Sequence, residues 1–358
     1  GEMKMSKRII ALLLALVMVF ALCACGNGGN GNNGAGGEDV GDETYTIRIA
    51  CENSDSYPAT LGLYQMEKYV ESHTNGKVQV EVCASGQLGG EEETLEQVAQ
   101  GNLEMAVASF APVVSYVPEF EVMDIPFVYN SYTEAWMVLD SYVGTNLLDK
   151  MEAQGLKGMA YMENGMRQVT SNVSAINSIA DFKGVKLRTM QNNNHMESFS
   201  ALGANPTPVA FSELYISLSQ KVVDAQENPI ANVTDKKLYE VQKYLSLTNH
   251  IYDAMPLVCN LEFFNSLPQA YQKVVQAGAI YAQEFSRFCN LEREDLILAD
   301  LADKYGMQIN EVSADARAEM AKVAQPAVIK LVAKDIGQDA VDQYMNDVKD
   351  VLAQISKF

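Results

Sequence analysis

Alternation of apolar and polar positions marks the first strands. Tyr45-Thr46-Ile47-Arg48-Ile49-Ala50 and Val78-Gln79-Val80-Glu81-Val82 both repeat with a period of two, the pattern of a half-buried strand. Between them a helix is predicted from about Ala59 to His73, closed by a turn at Gly76. Gly86-Gln87-Leu88-Gly89-Gly90 reads as a loop. Glu91 to Gln100 reads as a helix, and its first-turn acids Glu91, Glu92 and Glu93 complement the positive helix end, as a solvated helix start does. Met105-Ala106-Val107-Ala108 is continuously apolar, as a buried parallel strand is. Strand and helix in alternation predict an α/β layer architecture.

Pro118 to Phe127 reads as a loop, followed by helices from Ser131 and from Thr145 to Gln154, then a strand from Leu156 to Met162. Glu163 to Asn172 reads as a turn entering an extended run, with Arg167 at a crossover. Val185 to Met190 alternates again, and the helix after it is stopped by Gly203, Pro206 and Pro208. Phe211-Ser212-Glu213 predicts a new helix with Ser212 as N-cap. Val222 to Ala225 is a short strand closing on Gln226-Glu227-Asn228-Pro229. Two strand ends, carrying Arg188 and Asn228, thus point to one cleft, at the carboxyl edge where open α/β sheets bind ligands. A guanidinium there suits a two-pronged carboxylate contact; a salt bridge on a sheet edge is the alternative. Gln191, Asn192, Asn193, Asn194 and His195 follow, offering hydroxyl partners or simply forming a polar helix start.

Asp235 to Leu245 reads as helical, and Leu247 to Asn260 as extended but broken at Pro256. From Leu267 an apolar stripe runs through Tyr271, Val274, Val275, Gly278, Tyr281, Ala282, Phe285, Phe288 and Cys289. It breaks at Glu292-Arg293-Glu294-Asp295 and resumes at Leu296, Leu298 and Leu301. Either one long helix bridges two lobes or two helices follow each other. Glu311 to the end is helical.

Composition narrows the function. A chain of 358 residues has room for two domains. With 46 acids, 26 bases and a net charge of −20, it repels nucleic acid, and no basic patch with interleaved aromatics occurs. An anion site therefore needs its own local cation. Lys4, Lys7 and Arg8 precede the apolar run Ile9 to Leu22, so 1–24 reads as a signal peptide. The run ends in Leu22-Cys23-Ala24-Cys25, which resembles a bacterial lipoprotein box with Cys25 lipidated and Cys23 a departure from it; 25–43 is then a flexible Gly/Asn-rich tether outside the cytoplasmic membrane. Gly26-x-Gly28-x-x-Gly31 lacks the flanking strand and helix of a dinucleotide site. Cys51, Cys83, Cys259 and Cys289 form no C-x-x-C pair and are expected to be free and mostly buried. His73, His195 and His250 sit in no metal motif, and no nucleophile elbow or phosphate loop occurs. No catalytic residue, metal or cofactor is expected.

Seven short motifs in order carry a resemblance: Gly86-Gln87-Leu88-Gly89, Asp124-Ile125-Pro126-Phe127, Asn164-Gly165-Met166-Arg167-Gln168, Gly184-Val185-Lys186-Leu187-Arg188, Leu202-Gly203-Ala204-Asn205-Pro206-Thr207-Pro208, Phe211-Ser212-Glu213 and Val223-Asp224-Ala225-Gln226-Glu227-Asn228-Pro229. From about Tyr45 to Phe358 the chain resembles the solute-binding proteins of tripartite ATP-independent periplasmic (TRAP) transporters, the C4-dicarboxylate and sialic-acid receptor family. The resemblance implies a two-lobed, periplasmic-binding-protein-like α/β fold with a long bridging helix and discontinuous lobes, 44–165 with 254–292 and 166–253 with 293–358. It implies that Arg188 grips the ligand carboxylate, that Arg167 and Asn228 add polar contacts and that Phe211 walls the cleft; Asn164, and Gln191 and His195 of the polar run, are further candidate ligand contacts. It implies a monomeric receptor that passes a small organic acid to membrane permease subunits driven by an ion gradient. A receptor for an ATP-driven importer or sensor kinase is the alternative, and an exported enzyme ranks last. Sugar acids, C4-dicarboxylates and other carboxylates all fit one Arg anchor, with the polar run after Arg188 favouring sugar acids. Ser109-Phe110 stand where some acid-sugar binders carry Glu, which argues against sialic acid.

Overall fold

The computed structural model describes residues 43–354, so the expected signal peptide, Cys25 and nearly all of the tether lie outside the described residues. The first elements follow the pattern read from sequence: β1 (Tyr45–Ala50), α1 (Pro58–His73), β2 (Val78–Cys83), α2 (Glu91–Ala99) and β3 (Met105–Val107). A short α3 (Phe110–Val113), a 3-10 segment at Pro118–Asp124 in place of the expected loop, α4 (Tyr132–Leu139) and α5 (Tyr142–Lys150) lead into β4 (Leu156–Ser171). Then come β5 (Lys186–Thr189), α6 (Asn193–Ala201), β6 (Asn205–Pro208), α7 (Leu214–Ser219), β7 (Ala225–Pro229), α8 (Ile230–Asp235), β8 (Tyr244–Leu247) and β9 (Tyr252–Asn260). The chain closes with α9 (Leu261–Ser266), α10 (Gln269–Asp303), β10 (Gln308–Glu311), α11 (Ala314–Ile336) and α12 (Gln338–Leu352).

The strands form one mixed sheet in the order β2-β1-β3-β9-β4-β7-β5-β6, with β8 joining β4 and β10 joining β8. Its spine is β4. Leu156 to Met166 pairs with β9, whereas Arg167 to Ser171 pairs with β7 and Val169 to Ser171 with β8. The turn expected at Glu163 is instead a register shift between Glu163 and Gly165 inside a continuous strand. Gly165 takes φ 128°, where a side chain would be strained and would also press on Pro229 and Tyr132. One strand thereby serves both halves of the molecule.

Other boundaries moved for identifiable reasons. Asn205–Pro208, expected as a turn, is a strand at the sheet edge. Asn205 and Val209 donate their N–H groups to Val185 and Thr189, so the two prolines place their missing donors on the solvent side, where a strand tolerates them. Ser212 caps nothing: Phe211–Glu213 is a 3-10 turn that runs into α7. The second strand of that region starts at Ala225, not Val222. The helix expected over Asp235 to Leu245 does not form: α8 ends at Asp235, and a 3-10 turn and β8 follow. Pro256 lies within β9, beyond its last pair with β3, and breaks nothing.

A single helix, α10, runs for 35 residues. Tyr271, Val275, Ala279 and Ala282 pack with Leu63, Met66 and Val70 of α1. Gly62 and Gly278 permit that approach; a Cβ at Gly62 would lie 2.5 Å from the Ala282 carbonyl oxygen. The polar middle is where the helix crosses β4. Gln283 Oε1 accepts from the Tyr161 N–H at 2.9 Å and Ser286 Oγ from the Glu163 N–H at 3.0 Å, satisfying backbone donors beside the register shifts. Leu301, with Ile297 and Leu298, then enters the core of the second half with Leu214, Leu218 and Val233. α11 also serves two cores: Met320 and Ala324 join Phe182, Leu187 and Phe199, while Val328 and Val332 join the first half. Pro326 interrupts its hydrogen-bond ladder between the two. α12 buries Val341, Tyr344, Val348 and Val351 in the first half's core, beside Val328 and Val332 of α11, although 293–358 is expected from sequence to belong to the second lobe.

Among the described residues the four cysteines are free, with Cys51, Cys259 and Cys289 buried and Cys83 partly exposed. No described helix is long and apolar enough to cross a membrane.

Candidate functional site

A cavity of about 220 Å³ lies between the halves, at the carboxyl ends of β1, β3, β5 and β7. The first half contributes Glu52, Asn53, the start of α2 and Ser109; the second contributes Arg188, Gln191, Phe211, Asn228 and Asn232; Asn164 comes from the shared strand β4. Thus Arg188, Asn228, Phe211, Gln191 and Asn164 are brought together as expected from sequence.

Arg188 is 1 % exposed. Its Nε donates to the Val209 carbonyl at 2.8 Å, while Nη1 is buried with no hydrogen-bond partner among the described residues. Burial lowers its pKa to about 10, with Glu227 acting against the fall, so it stays a cation at neutral pH. A desolvated guanidinium with an unmet donor is costly unless an anion completes it.

Arg167 and His195 do not line the cavity; they sit behind it. The Arg167 guanidinium donates to both Glu227 carboxylate oxygens at 2.5 and 2.7 Å, to the Glu227 carbonyl at 2.8 Å and to Asp253 at 2.7 Å. Its remaining reach goes to Asn228 Oδ1 at 3.3 Å. Burial would raise the Glu227 carboxyl, but Arg167, His195 and His250 hold it well below its ordinary value. His195 is also buried; burial opposes its charging, yet its contacts with Asp124 and Glu227 raise it to about 9. The arrangement is a buried ionic platform under β7, and its Arg is already saturated by carboxylates. Arg167 and His195, expected as ligand contacts, are thus not in the cavity lining: Arg167 bonds Asn228, and His195 bonds Asp124 at 3.1 Å.

The sequence reading missed the acidic side of the cavity. Glu52 is 7 % exposed; one carboxylate oxygen accepts from the Glu91 N–H at 3.2 Å and the other, Oε1, is buried without a partner. Glu91 accepts from Ser109 N–H and Oγ, both at 3.1 Å, and burial together with Glu52 pushes it up to about 8. Glu91 is therefore part of the wall and not a solvated helix start. The Gln191 amide, oriented to satisfy both groups, donates to Glu92 at 3.0 Å. The signal for Glu52 was available: it follows β1 by two residues, at the same carboxyl edge that singled out Arg188.

Contacts between the halves close the mouth. Asn53 donates to Asn232 Oδ1 at 2.9 Å, Ser54 bonds Asp235 through both its N–H and its hydroxyl, and the Lys236 ammonium donates to the Glu52 carbonyl at 3.1 Å.

A two-lobed α/β molecule with an incomplete cation in its cleft is the architecture of a solute-binding receptor. Residues 49–335 match the bacterial extracellular solute-binding protein family, family 7, and the chain belongs to that family. It is 31% identical over 302 residues to the C4-dicarboxylate-binding periplasmic protein DctP of Rhodobacter capsulatus, covering 84% of this chain and 90% of that one. Among solved structures it resembles the sugar acid binding protein DctPAm of Advenella mimigardefordensis in complex with galactonate, with TM-score 0.82, 32% identity and coverage of 86% of this chain and 99% of the other. It also resembles a TRAP periplasmic solute binding protein of Sulfurospirillum deleyianum with bound succinate, with TM-score 0.79, 31% identity and coverage of 84% and 98%.

Proposed function

We propose that the protein is the extracytoplasmic receptor of a secondary transporter and that Arg188 seats the carboxylate of its small organic-acid solute. The observation that carries this reading is the buried, unpartnered Arg188 Nη1 in an inter-lobe cavity. Phe211 and Asn228 wall the solute, with Gln191 and Asn164 as further polar contacts. Because the solute touches both halves, it favours the closed arrangement over the open one. A cavity of about 220 Å³ suits a small acid. Membership of the family supports delivery to membrane permease subunits and binding without turnover of the solute. The Leu22-Cys23-Ala24-Cys25 stretch supports lipid anchoring at Cys25, and a Cys25→Ala chain that stays with the membrane fraction contradicts the anchor.

The test is a thermal-shift screen of organic acids on ligand-free protein, followed by calorimetry. At least one small carboxylic acid stabilises the wild type, and its amide analogue does not. Stabilisation by neutral solutes alone overturns the reading.

A further inference from the structure

Two residues that line the cavity each carry a buried polar atom without a hydrogen-bond partner, and the two atoms are of opposite kind. Arg188 Nη1 is a donor, and Glu52 Oε1 is an acceptor. Beside Glu52 stands Glu91, partly exposed to the same space, whose carboxylate is fixed by Ser109. Glu92 extends the acidic side next to Gln191. A solute that completes both unmet atoms must accept at one end and donate at the other.

We propose that Glu52 and Glu91 make this receptor selective for polyhydroxylated monocarboxylic acids, of the aldonate or uronate type, and exclude dicarboxylates. The inference rests on Arg188 as the carboxylate seat and names the chemistry of the opposite end. Hydroxyl groups donate to Glu52 Oε1 and to the Glu91 carboxyl, while the amides of Asn53, Asn164 and Asn232 both give and take hydrogen bonds. A dicarboxylate at neutral pH brings acceptors to both ends. With one carboxylate on Arg188, the other faces Glu52, whose unpartnered Oε1 can only accept, so like charges repel there at low dielectric. Lys236 does not line the cavity. Its ammonium is engaged outside the cavity lining, on the Glu52 carbonyl at 3.1 Å and over the Phe211 ring at 4.7 Å. Glu91, pushed up to about 8 by burial and by Glu52, largely holds its proton at neutral pH, so the repulsion comes from Glu52. The fold does not decide between the classes, since similar structures hold galactonate and succinate; the lining does.

Calorimetry at neutral pH on ligand-free wild type, with a panel of aldonates and uronates against succinate, malate and fumarate, tests this. At least one sugar acid binds, and the dicarboxylates bind ~100-fold more weakly or worse. Glu52→Gln removes the charge but keeps the shape, so the sugar acid weakens and the gap to succinate narrows by about tenfold. Glu52→Ala gives the same direction and serves if Glu52→Gln does not fold by circular dichroism. Dicarboxylates binding as tightly as sugar acids overturn the selectivity while leaving Arg188 as the seat. Equal losses for both classes in Glu52→Gln overturn the role of the acidic wall. If no acid of either panel binds, the receptor reading itself falls and takes this inference with it.

Discussion

Arg188 Nε donates to the Val209 carbonyl at 2.8 Å, and this one bond fixes the orientation of the guanidinium from the neighbouring edge of the cavity. β5 supplies the side chain, and the residue just after β6 holds it. The fork is thereby aimed before a solute arrives, which reduces the ordering cost of binding.

Replacing Arg188 separates binding from stability. Arg188→Leu removes a buried cation that is incompletely paired in the free protein, so ligand-free melting temperature is unchanged or rises. Affinity for the solute falls by a factor of roughly 100 or more, as expected for loss of a charge-assisted pair. Calorimetry and differential scanning fluorimetry read the two effects. A variant that binds normally removes Arg188 from the site.

Arg167 behaves in the opposite way. Its guanidinium neutralises Glu227 and Asp253, all three side chains being 2 % exposed or less. Arg167→Met leaves two carboxylates buried without their partner and destabilises the fold by roughly 3–5 kcal/mol. Urea denaturation followed by circular dichroism measures it; a loss of affinity with unchanged stability would instead make Arg167 a direct ligand contact.

Closure of the mouth is testable away from the cavity. Asp235 does not line the cavity but receives the Ser54 N–H and hydroxyl. Asp235→Ala shifts the ligand-free protein toward open forms, and the apparent affinity drops several-fold, in proportion to the closed fraction lost. Small-angle scattering then shows a larger radius without ligand that contracts on saturation. An unchanged radius and affinity would show that this contact does not hold the halves together.

Glu163 carries a pH dependence of stability. It is fully buried, accepts from Trp136 Nε1 at 2.7 Å and Tyr252 OH at 3.0 Å, and burial pushes it up to about 7 from 4.5. The folded state therefore holds the proton more tightly than the unfolded chain. That stabilisation is complete below 4.5 and is lost as pH rises through about 7. Glu163→Gln lacks this loss, so its melting temperature gains on the wild type between about pH 5 and pH 8. Scanning calorimetry across that range checks it, and parallel curves for the two proteins contradict it.

What the sequence disclosed follows from periodicity. β1, α1, β2 and α2 carried clear two-fold or helical spacing, the apolar stripe of α10 broke at Glu292 to Asp295 and left its continuity open, and the strand-end rule singled out Arg188 and Asn228, which the fold places in one cavity lining. The failures occurred where a tertiary partner overrides local pattern. Asn164-Gly165 looks like a turn, but β4 continues because α10 and β9 satisfy its backbone through the bulge. Pro206 and Pro208 look like breakers, but an edge strand needs no donor on its open side. Arg167 looked like a ligand contact because its carboxylate partners, Glu227 and Asp253, lie far away in sequence. Glu52 and Glu91 sit on a loop and a helix start, where acidic residues are ordinary, and only the fold shows that both face Arg188 across one space.

A crystal structure of the complex with the tightest-binding acid tests the central claim most directly, through the position of the solute carboxylate. The account predicts a carboxylate oxygen within hydrogen-bond distance of Arg188 Nη1, about 2.7–2.9 Å, with Nε still on Val209. A carboxylate placed elsewhere in the cavity, with Arg188 Nη1 left unpartnered, would contradict it.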